Sequence, residues 1–425
     1  MKKSYEEINE KIRQGKAVVL TAEEVSQLAR TLSPAEIVRR VDVVTTGTFG
    51  AMCSSGAFLN FGHATPPIRM ERIELNGVPV SGGVITALLV AAYAAVKDKK
   101  TAMGFERNME DGEIMRRLAR YARPYLSKFL IVGVLMLFSI AYDIISPLIV
   151  GRIEELVAGR SVTLEAWGKG TDDYPRRHIR SHVTLDDINE AILYNPRNCY
   201  QNYNAATNSS ERMLHTYMGT LLPKLRNVSY STAGELSPLL NDPTCRTIGM
   251  GTRIFLCGAR GYVSWQGTQF NTSKPVNEHG IPIGGARTVA AIGNLREMST
   301  DYLRAAYYEK YGVSLFVGVG IPIPLLDEEL AHDVSIRNEQ ITTNILDFGE
   351  EERPIGQTNY AELRSGSIEV RGQRVRTAPV ASLRKAREIA ETLKGWIARG
   401  EFLLTEPVQP MPAHSTVKGL KADDE

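Results

Sequence analysis

The chain has 425 residues, of which 43% are hydrophobic and 23% are charged, and its 50 Lys and Arg nearly balance its 48 Asp and Glu. This balance gives no general electrostatic case for binding nucleic acid or an anionic membrane surface. Four cysteines exclude a disulfide-stapled secreted scaffold, and the hydrophobic content excludes a disordered chain. The N-terminal MKKSYEEINEKIRQ has no apolar core, so we expect no secretory signal and a cytoplasmic globular protein.

The first 80 residues contain signals for strands, helix starts and one tight turn. Val41–Thr46 is a β-branched run that predicts a buried strand, and the Gly-Thr-Phe-Gly that follows predicts a turn. Cys53–Gly56 comes next and could open a helix. Asn76-Gly77 predicts a type I′ hairpin between two short strands. Capping boxes predict three further helix starts, at Ser4 with Glu7, Thr21 with Glu24, and Ser33 with Glu36.

The region from residue 152 to 410 shows the same alternation of strand and helix signals. A capping signal at Thr184 predicts a helix to about Leu193. Val313–Pro324 predicts a fully buried strand, and Ser382–Arg399 predicts an amphipathic helix that the next glycine ends. Strands alternating with helices predict an α/β fold, with a mixed sheet and flanking helices.

An atypical apolar and basic segment, residues 80–151, interrupts this fold. Phe129–Val150 is a 22-residue strip with Asp143 as its one charge. As a helix it would span about 33 Å, enough to cross a hydrocarbon core of about 30 Å. It is therefore a candidate membrane span, or alternatively a buried core helix broken near Pro147. The sequence therefore predicts four parts. Residues 1–79, with the Cys53 motif, are the N-terminal part of a catalytic domain, and residues 152–410 are the remainder of that domain. Residues 80–151 form the atypical segment between them, and residues 411–425 form a flexible tail.

Cys53 is the residue best suited to chemistry. A thiolate is a strong nucleophile and sulfur carrier, and its pKa falls where backbone N–H groups or a helix N-terminus face it. The alternative is an inert buried thiol. The spacing of Cys199, Cys245 and Cys257 fits no CxxC metal or cluster pattern, so we expect no bound metal or cofactor.

Other polar residues predict a site for a small polar substrate. His63, ten residues after Cys53, could be a general base, a substrate contact or a hydrogen-bonded loop histidine. Arginine grips a carboxylate in bidentate fashion but also forms surface or structural ion pairs. The candidates are Arg69, Arg197 and Arg253 for a substrate carboxylate, and Asn198 and Asn202 for hydrogen bonding.

Several long motifs, in the same order, resemble one known family. They are Thr45–His63 (TTGTFGAMCSSGAFLNFGH), Gly170–Arg176 (GTDDYPR), Thr184–Asn204 (TLDDINEAILYNPRNCYQNYN), Leu236–Pro243 (LSPLLNDP) and Lys385–Pro407 (KAREIAETLKGWIARGEFLLTEP). The family is that of archaeal and bacterial homocysteine biosynthesis, the L-aspartate-semialdehyde sulfurtransferases. The resemblance covers roughly residues 1–80 and 152–410. Residues 110–151 instead resemble the first transmembrane segment of an ABC exporter.

The family resemblance implies a sulfurtransferase that inserts sulfur into L-aspartate semialdehyde. Cys53 matches the family's essential cysteine and would hold the sulfur as a persulfide. A two-electron reduction would follow, with electrons from a separate iron–sulfur protein of ferredoxin type; the sulfur donor stays open. The family's second cysteine, in GTDCYPR, is replaced here by Asp173, which could hold a proton or a cation but not sulfur. The alternative is a membrane-associated or catalytically impaired composite that binds the substrate without full turnover.

Overall fold

The computed structural model describes a strand-rich α/β protein. The described ranges are 2–52, 56–60, 69–75, 78–80, 162–169, 177–183, 190–198, 205–207, 227–230, 232–267, 276–281, 288–308, 312–347, 353–379 and 381–412. The predicted apolar segment and the tail after residue 412 lie outside them.

Seven α-helices lie in these ranges: α1 Tyr5–Arg13, α2 Ala22–Leu28, α3 Pro34–Arg40, α4 Pro238–Asn241, α5 Glu328–Asp333, α6 Tyr360–Arg364 and α7 Leu383–Ala398. The first strands are β1 Val19–Thr21, β2 Val43–Thr45, β3 Thr48–Met52, β4 Gly56–Asn60, β5 Arg69–Leu75, β6 Val78–Val80, β7 Val162–Lys169, β8 Arg177–Val183, β9 Glu190–Asn198, β10 Ala205–Thr207 and β11 Asn227–Tyr230. The later strands are β12 Arg253–Leu256, β13 Ala259–Gln266, β14 Val289–Asn294, β15 Leu303–Tyr308, β16 Gly312–Gly320, β17 Pro322–Pro324, β18 Thr342–Asp347, β19 Arg353–Asn359, β20 Ser367–Val370 and β21 Gln373–Pro379.

The chain divides into two compact units. The first comprises residues 1–62, 153–160 and 184–425, and the second comprises 63–152 and 161–183. In the second unit, four antiparallel strands lie in the order β6-β5-β7-β8. Leu75 pairs with Val78, which confirms the two paired strands of the predicted hairpin, whereas its turn residues, Asn76 and Gly77, lie outside the described residues.

The N-terminal part of the first unit follows its local sequence signals closely. Hydrogen bonds between Ser4 and Glu7 and between Thr21 and Glu24 form two capping boxes. The carboxylate of Glu36 accepts from the N–H and the hydroxyl of Ser33, at 2.9 and 2.8 Å. The helices flank a three-stranded sheet in the order β1-β2-β17, so the predicted helix starts and the strand after α3 are confirmed.

The largest sheet of the first unit returns to the segment of chain where it begins. Its order is β15-β16-β12-β13-β14-β9-β4, and β3 also pairs with β16. We call the series of paired strands from β3 through β16, β12, β13, β14 and β9 to β4 the ring. Its first and last strands, β3 and β4, are separated in the chain only by residues 53–55.

Helix α7 covers β3 and β16 and completes the core. Ile389, Leu393 and Ile397 on one face of α7 are fully buried and pack in one cluster with Phe255 and Phe402. The Ser382 N–H, at the start of α7, donates to the Phe49 carbonyl at 2.8 Å. The predicted helix, its apolar face and the glycine that ends it are confirmed.

Gly47 stands where α7 comes closest to the strand that leads to Cys53. A Cβ atom at Gly47 would overlap the Ala386 carbonyl oxygen, and its N–H donates to the Leu236 carbonyl at 2.8 Å. Both neighbours are backbone, so they cannot move aside as a flexible side chain can. Only glycine fits here.

We expect Gly47→Ala to lower the free energy of unfolding by about 2–3 kcal/mol, the cost of overpacking a close contact. Gly395→Ala is the matched control. Its Cβ would meet the guanidinium end of Arg399, and alanine favours a helix over glycine by about 1 kcal/mol. Urea unfolding measures both; equal stabilities for the two variants would contradict the close contact.

The third sheet of the first unit has six strands, in the order β19-β18-β10-β11-β21-β20. Its apolar face packs against α6, with Tyr230 and Tyr360 in edge-to-face contact at 5.6 Å between ring centroids. Neighbouring strands are parallel in β10–β18 and β11–β21 and antiparallel elsewhere. The α/β class is thus confirmed, although it uses several sheets rather than one.

Three local predictions are wrong. The helix predicted from Thr184 to Leu193 ends in residues that belong to β9, because Ala191–Tyr194 pair with β4 on one side, and most of them with β14 on the other. The helix predicted to open at Cys53–Gly56 is excluded at Gly56, which begins β4. The predicted turn before Cys53 is strand β3. In each case the residues form a strand because they pair with strands that lie far away in the sequence, which local signals do not report.

No helix in the described parts of the chain combines the length and the apolar character needed to cross a bilayer. The predicted strip Phe129–Val150 and the boundary at 151 lie outside those parts, so both stay predictions.

Candidate functional site

The junction between β3 and β4 carries the predicted nucleophile. Cys53 itself lies outside the described residues, but both flanks are placed: Met52 pairs with Leu315 and Gly56 pairs with Tyr194. The strand partner therefore changes from β16 to β9 across the three residues at 53–55.

Strand β9 extends beyond β4 on the side from which Cys53 enters. After the Tyr194–Gly56 pair, β9 continues for four residues to Asn198, which pairs with Val289 of β14. Arg197 and Asn198 thus lie about 10–13 Å along β9 from Tyr194, at about 3.3 Å per residue. The register brings this motif to the same end of the strands as the junction. Their substrate role stays a prediction.

In the second unit, Arg69 lies at the sheet end that carries the GTDDYPR motif. Arg69 pairs with Lys169, the last residue of β7, and Gly168 pairs with Arg177, the first of β8. Lys169, the residue before this motif, therefore lies opposite Arg69. Asp173, in the motif, and His63 and Asn202 lie outside the described residues, and their roles stay predictions.

Arg253 is held by backbone at the far end of the ring. Its Nη1 donates to the Leu403 carbonyl at 3.1 Å, its backbone N–H donates to the Thr405 hydroxyl at 2.7 Å, and its guanidinium lies 5.9 Å from the Tyr262 ring centroid. Along β16, Met52 stands opposite Leu315, whereas Phe255 stands opposite Gly320. Gly320 is five residues beyond Leu315, and Arg253 lies two residues beyond Phe255 in the same direction. At about 3.3 Å per residue, Arg253 is therefore about 23 Å from Met52 along the strands.

The described contacts of Arg253 thus tie the C-terminal segment to β12, and a substrate role for it stays a prediction without a described contact to the junction.

The two cysteines in the described ranges, Cys245 and Cys257, are buried. Burial raises the pKa of the Cys257 thiol to about 12, which leaves it protonated and unreactive at neutral pH. Cys257 also occupies a left-handed turn position, with φ of 54°, between β12 and β13. Cys245 is 7% exposed. Cys199 lies outside the described residues.

Sequence reasoning missed two carboxylates whose charges interact, the fully buried Asp242 and the half-buried Asp333. Asp242 accepts hydrogen bonds from the backbone N–H groups of Arg246, Thr247 and Ile248 at 2.7–3.1 Å. Burial raises the pKa of Asp242 and these bonds oppose the rise. Burial, and then the Asp242 charge, raise the pKa of Asp333 to about 6. The signal available in the sequence was Asn-Asp-Pro in LSPLLNDP, a turn-forming combination.

We expect Asp333→Asn to stabilise the protein at pH 8 by about 1–3 kcal/mol. The folded protein holds the Asp333 proton more tightly than the unfolded chain, whose aspartate pKa is near 3.8. Its stabilising contribution is therefore complete below about pH 4 and is lost as pH rises through about 6. Asparagine removes this loss.

Thermal unfolding at pH 4.5 and pH 8 measures the effect, with exposed Asp301→Asn as the control. A gain from Asp333→Asn that is the same at both pH values would show that Asp333 does not titrate between them.

Within the described ranges, no three His, Cys, Asp or Glu side chains come together in a way that could hold a metal ion.

A family model described as "Homocysteine biosynthesis enzyme, sulfur-incorporation" matches residues 17–120 and 151–404. The chain therefore belongs to the homocysteine biosynthesis enzyme family.

Two curated relatives carry the name L-aspartate semialdehyde sulfurtransferase. The protein from Methanosarcina acetivorans is 42% identical over 424 residues, covering 99% of this chain and 74% of the relative. The protein from Methanocaldococcus jannaschii is 44% identical over 425 residues, covering 96% of this chain and 73% of the relative. An uncharacterised protein from Methanothermobacter thermautotrophicus is 25% identical over 366 residues, with 85% and 72% coverage. No solved structure matches the chain.

These matches extend the family pattern further than the motifs predicted. The family model continues through residue 120, so the predicted limit near residue 80 is wrong. The matches give no support to the transporter resemblance predicted for residues 110–151.

Proposed function

We propose that this chain is a sulfurtransferase of homocysteine biosynthesis, which inserts sulfur into L-aspartate semialdehyde through a Cys53 persulfide. The observation that supports this most is the 42–44% identity to two proteins of that name over 96–99% of the chain. The described strands on either side of Cys53 have different partners, β16 before it and β9 after it, and β9 carries the predicted substrate contacts Arg197 and Asn198.

The proposed chemistry begins at the aldehyde carbon. The terminal persulfide sulfur adds to that carbon, the C–S bond forms, and the carbonyl oxygen takes a proton. Two electrons and two protons then replace the hydroxyl by hydrogen and release water, which leaves R–CH2–S–S–Cys53. A second pair of electrons, with two protons, cleaves the S–S bond to give homocysteine and the Cys53 thiol. This is covalent catalysis by an activated sulfur.

The persulfide route needs four electrons, whereas the sequence analysis predicted a two-electron reduction. Two electrons suffice only when the sulfur arrives at the oxidation level of sulfide, whereas a persulfide needs four. In the family's two-cysteine pattern, the second thiol would attack the S–S bond and form a disulfide. The last electron pair would then reduce that protein disulfide. Asp173 cannot form one, so here an external reductant such as the iron–sulfur protein must cleave the mixed disulfide itself.

The purified chain, supplied with aspartate semialdehyde, a cysteine desulfurase system and a low-potential reductant, tests the proposal. We expect homocysteine to form, and we expect the Cys53 peptide to carry one additional sulfur when substrate is withheld. An unmodified Cys53 peptide after sulfur loading would contradict the persulfide. Sulfur loading without homocysteine would favour a protein that binds the substrate without turnover.

A cytoplasmic location is part of the proposal, and the alternative is attachment to a membrane through Phe129–Val150. Expression followed by high-speed centrifugation separates the two: a chain that stays in the supernatant without detergent supports the first, and one that needs detergent supports the second.

A further inference from the structure

A cavity of about 220 Å³ lies beside the turn between β12 and β13, at the C-terminal end of α7. Cavities for drug-sized ligands are typically about 300–1,000 Å³, so this one suits a smaller molecule, of the size of an amino acid. Its lining comes from separate parts of the first unit. The lining residues are Gly258, Ala259, Arg260, Glu297, Trp396 and Glu401.

The indole of Trp396 gives the cavity a fixed apolar wall. Its ring stacks on Phe402 at 6.3 Å between centroids and meets Phe255 at 5.1 Å in a tilted arrangement. Phe255 and Phe402 are fully buried, whereas Trp396 is only partly buried. The indole is therefore anchored by the core and keeps surface for the cavity. Such a surface suits an aliphatic chain or a sulfur atom, which makes favourable contacts with aromatic rings.

Two side chains of opposite charge line the cavity, and neither takes part in a described ion pair. Arg260 Nη2 donates to the Glu401 carbonyl at 2.9 Å, and the Glu297 carboxylate accepts from the Asn294 amide at 3.2 Å. The Glu401 carboxylate differs, because Arg399 donates to both of its oxygens at 2.8 Å, while Arg260 acts on it only at longer range. The cavity thus offers one positive and one negative group, which is the complement of a zwitterion.

The end of α7 adds to the attraction for the positive half of a zwitterion. The last carbonyl groups of a helix carry partial negative charge and favour a cation nearby. The last turn of α7 contains no basic residue, and the guanidinium of its C-cap, Arg399, is paired with Glu401. An ammonium group in the cavity would therefore meet the Glu297 charge and the helix end without a competing lysine or arginine in that turn.

The cavity is separate from the junction between β3 and β4. Arg260 pairs with Phe255, and Phe255 pairs with Gly320 of β16. Gly320 lies five residues along β16 from Leu315, the partner of Met52. At about 3.3 Å per residue, Arg260 and Met52 are therefore about 16 Å apart along the strands. A molecule of amino-acid size cannot span that distance.

We infer that this cavity binds a small α-amino acid, with its carboxylate at Arg260, its ammonium group at Glu297 and its side chain against Trp396. The occupant is L-homocysteine, whose short sulfur-bearing side chain suits the indole wall. The identity of the occupant rests on the proposed function, because homocysteine is the product of that reaction. The chain thus has a binding site for its product apart from the place where the product forms.

Isothermal titration calorimetry of the full chain with reduced L-homocysteine tests this site. We expect Arg260→Gln to weaken the binding about tenfold, because a charge-assisted hydrogen bond to the carboxylate is lost. The same variant should bind the decarboxylated amine of homocysteine as tightly as the unaltered chain does. Glu297→Gln should weaken the binding of both molecules, because both carry the ammonium group. Homocysteine bound at the reaction site contributes equally to every variant.

Arg304→Gln and Glu369→Gln are the matched controls, because both side chains are exposed elsewhere in the first unit. Unchanged homocysteine affinity in the two cavity variants would overturn the site. So would an Arg260→Gln variant that loses as much affinity for the amine as for homocysteine, because the arginine would then act on the fold and not on the carboxylate. Tighter binding of L-leucine than of homocysteine would overturn the product as the occupant. The titration needs no turnover, so a chain that forms no homocysteine would contradict the proposed function while the titration still decides the cavity.

Discussion

The Cys53→Ser chain should form homocysteine at least about 10³-fold more slowly than the unaltered chain, a loss of about 4 kcal/mol of transition-state stabilisation. Serine cannot hold a sulfane sulfur, and its hydroxyl is a far weaker nucleophile than a thiolate. The loss should be in the chemical step, so that substrate binding stays close to that of the unaltered chain. The measurement is homocysteine formed in the presence of sulfur donor, aldehyde and reductant.

Cys257→Ala is the matched control for this prediction. The Cys257 thiol is fully buried and protonated, so its removal should cost some stability and leave sulfur loading at Cys53 intact. Mass spectrometry of the loaded chain locates the additional sulfur. If Cys53→Ser retains sulfur loading and turnover, another cysteine is the carrier and the assignment is wrong.

The second large effect concerns Asp173. We expect Asp173→Cys to raise turnover about tenfold or more, because the introduced thiol can attack R–CH2–S–S–Cys53 and release homocysteine, and the external electron pair then reduces the protein disulfide that this exchange leaves. The unaltered chain should accumulate the mixed disulfide between Cys53 and homocysteine. Both are measurable, the first as a rate and the second as a mass on the Cys53 peptide.

Asp172→Cys, the adjacent position in GTDDYPR, controls for adding a thiol anywhere in this connection. A rise in turnover with Asp172→Cys equal to that with Asp173→Cys would remove the special role of position 173. Turnover found only in Asp173→Cys would identify the unaltered chain as a substrate-binding protein. An unchanged rate, with no mixed disulfide in the unaltered chain, would show that release of the sulfur is not limiting.

Local signals predicted the elements that depend on local chemistry. Capping at Ser4 and Thr21 and the periodicity of α7 each arise from residues within a few positions, and each is confirmed. The helix predicted from Thr184 to Leu193 is wrong over the first residues of the strand Glu190–Asn198, because their conformation depends on β4 and β14, which lie far away in sequence. The need for glycine at 47 is likewise set by Ala386.

For the candidate site, the sequence predicted which residues to consider but not where the fold places them. Cys53 and the Asn-Pro-Arg-Asn of β9 could be named from their motifs, but their common end of the ring follows only from the register. Arg253 fitted a substrate contact by residue type, yet the backbone carbonyl of Leu403 holds its guanidinium. Residue type alone cannot report which partner a side chain meets.

The pairing of strands in the ring also determines when β3 can find its partner during synthesis of the chain. Gly50 pairs with Val317, and Asn9 in α1 bonds to Leu404, 395 residues away. At about 5–20 residues per second, the ribosome needs roughly 15–50 s after making β3 to produce β16. Throughout that interval the edge of β3 lacks the strand with which it pairs. Such high contact order slows folding, so the strands on either side of Cys53 gain their partners only after most of the chain has been made.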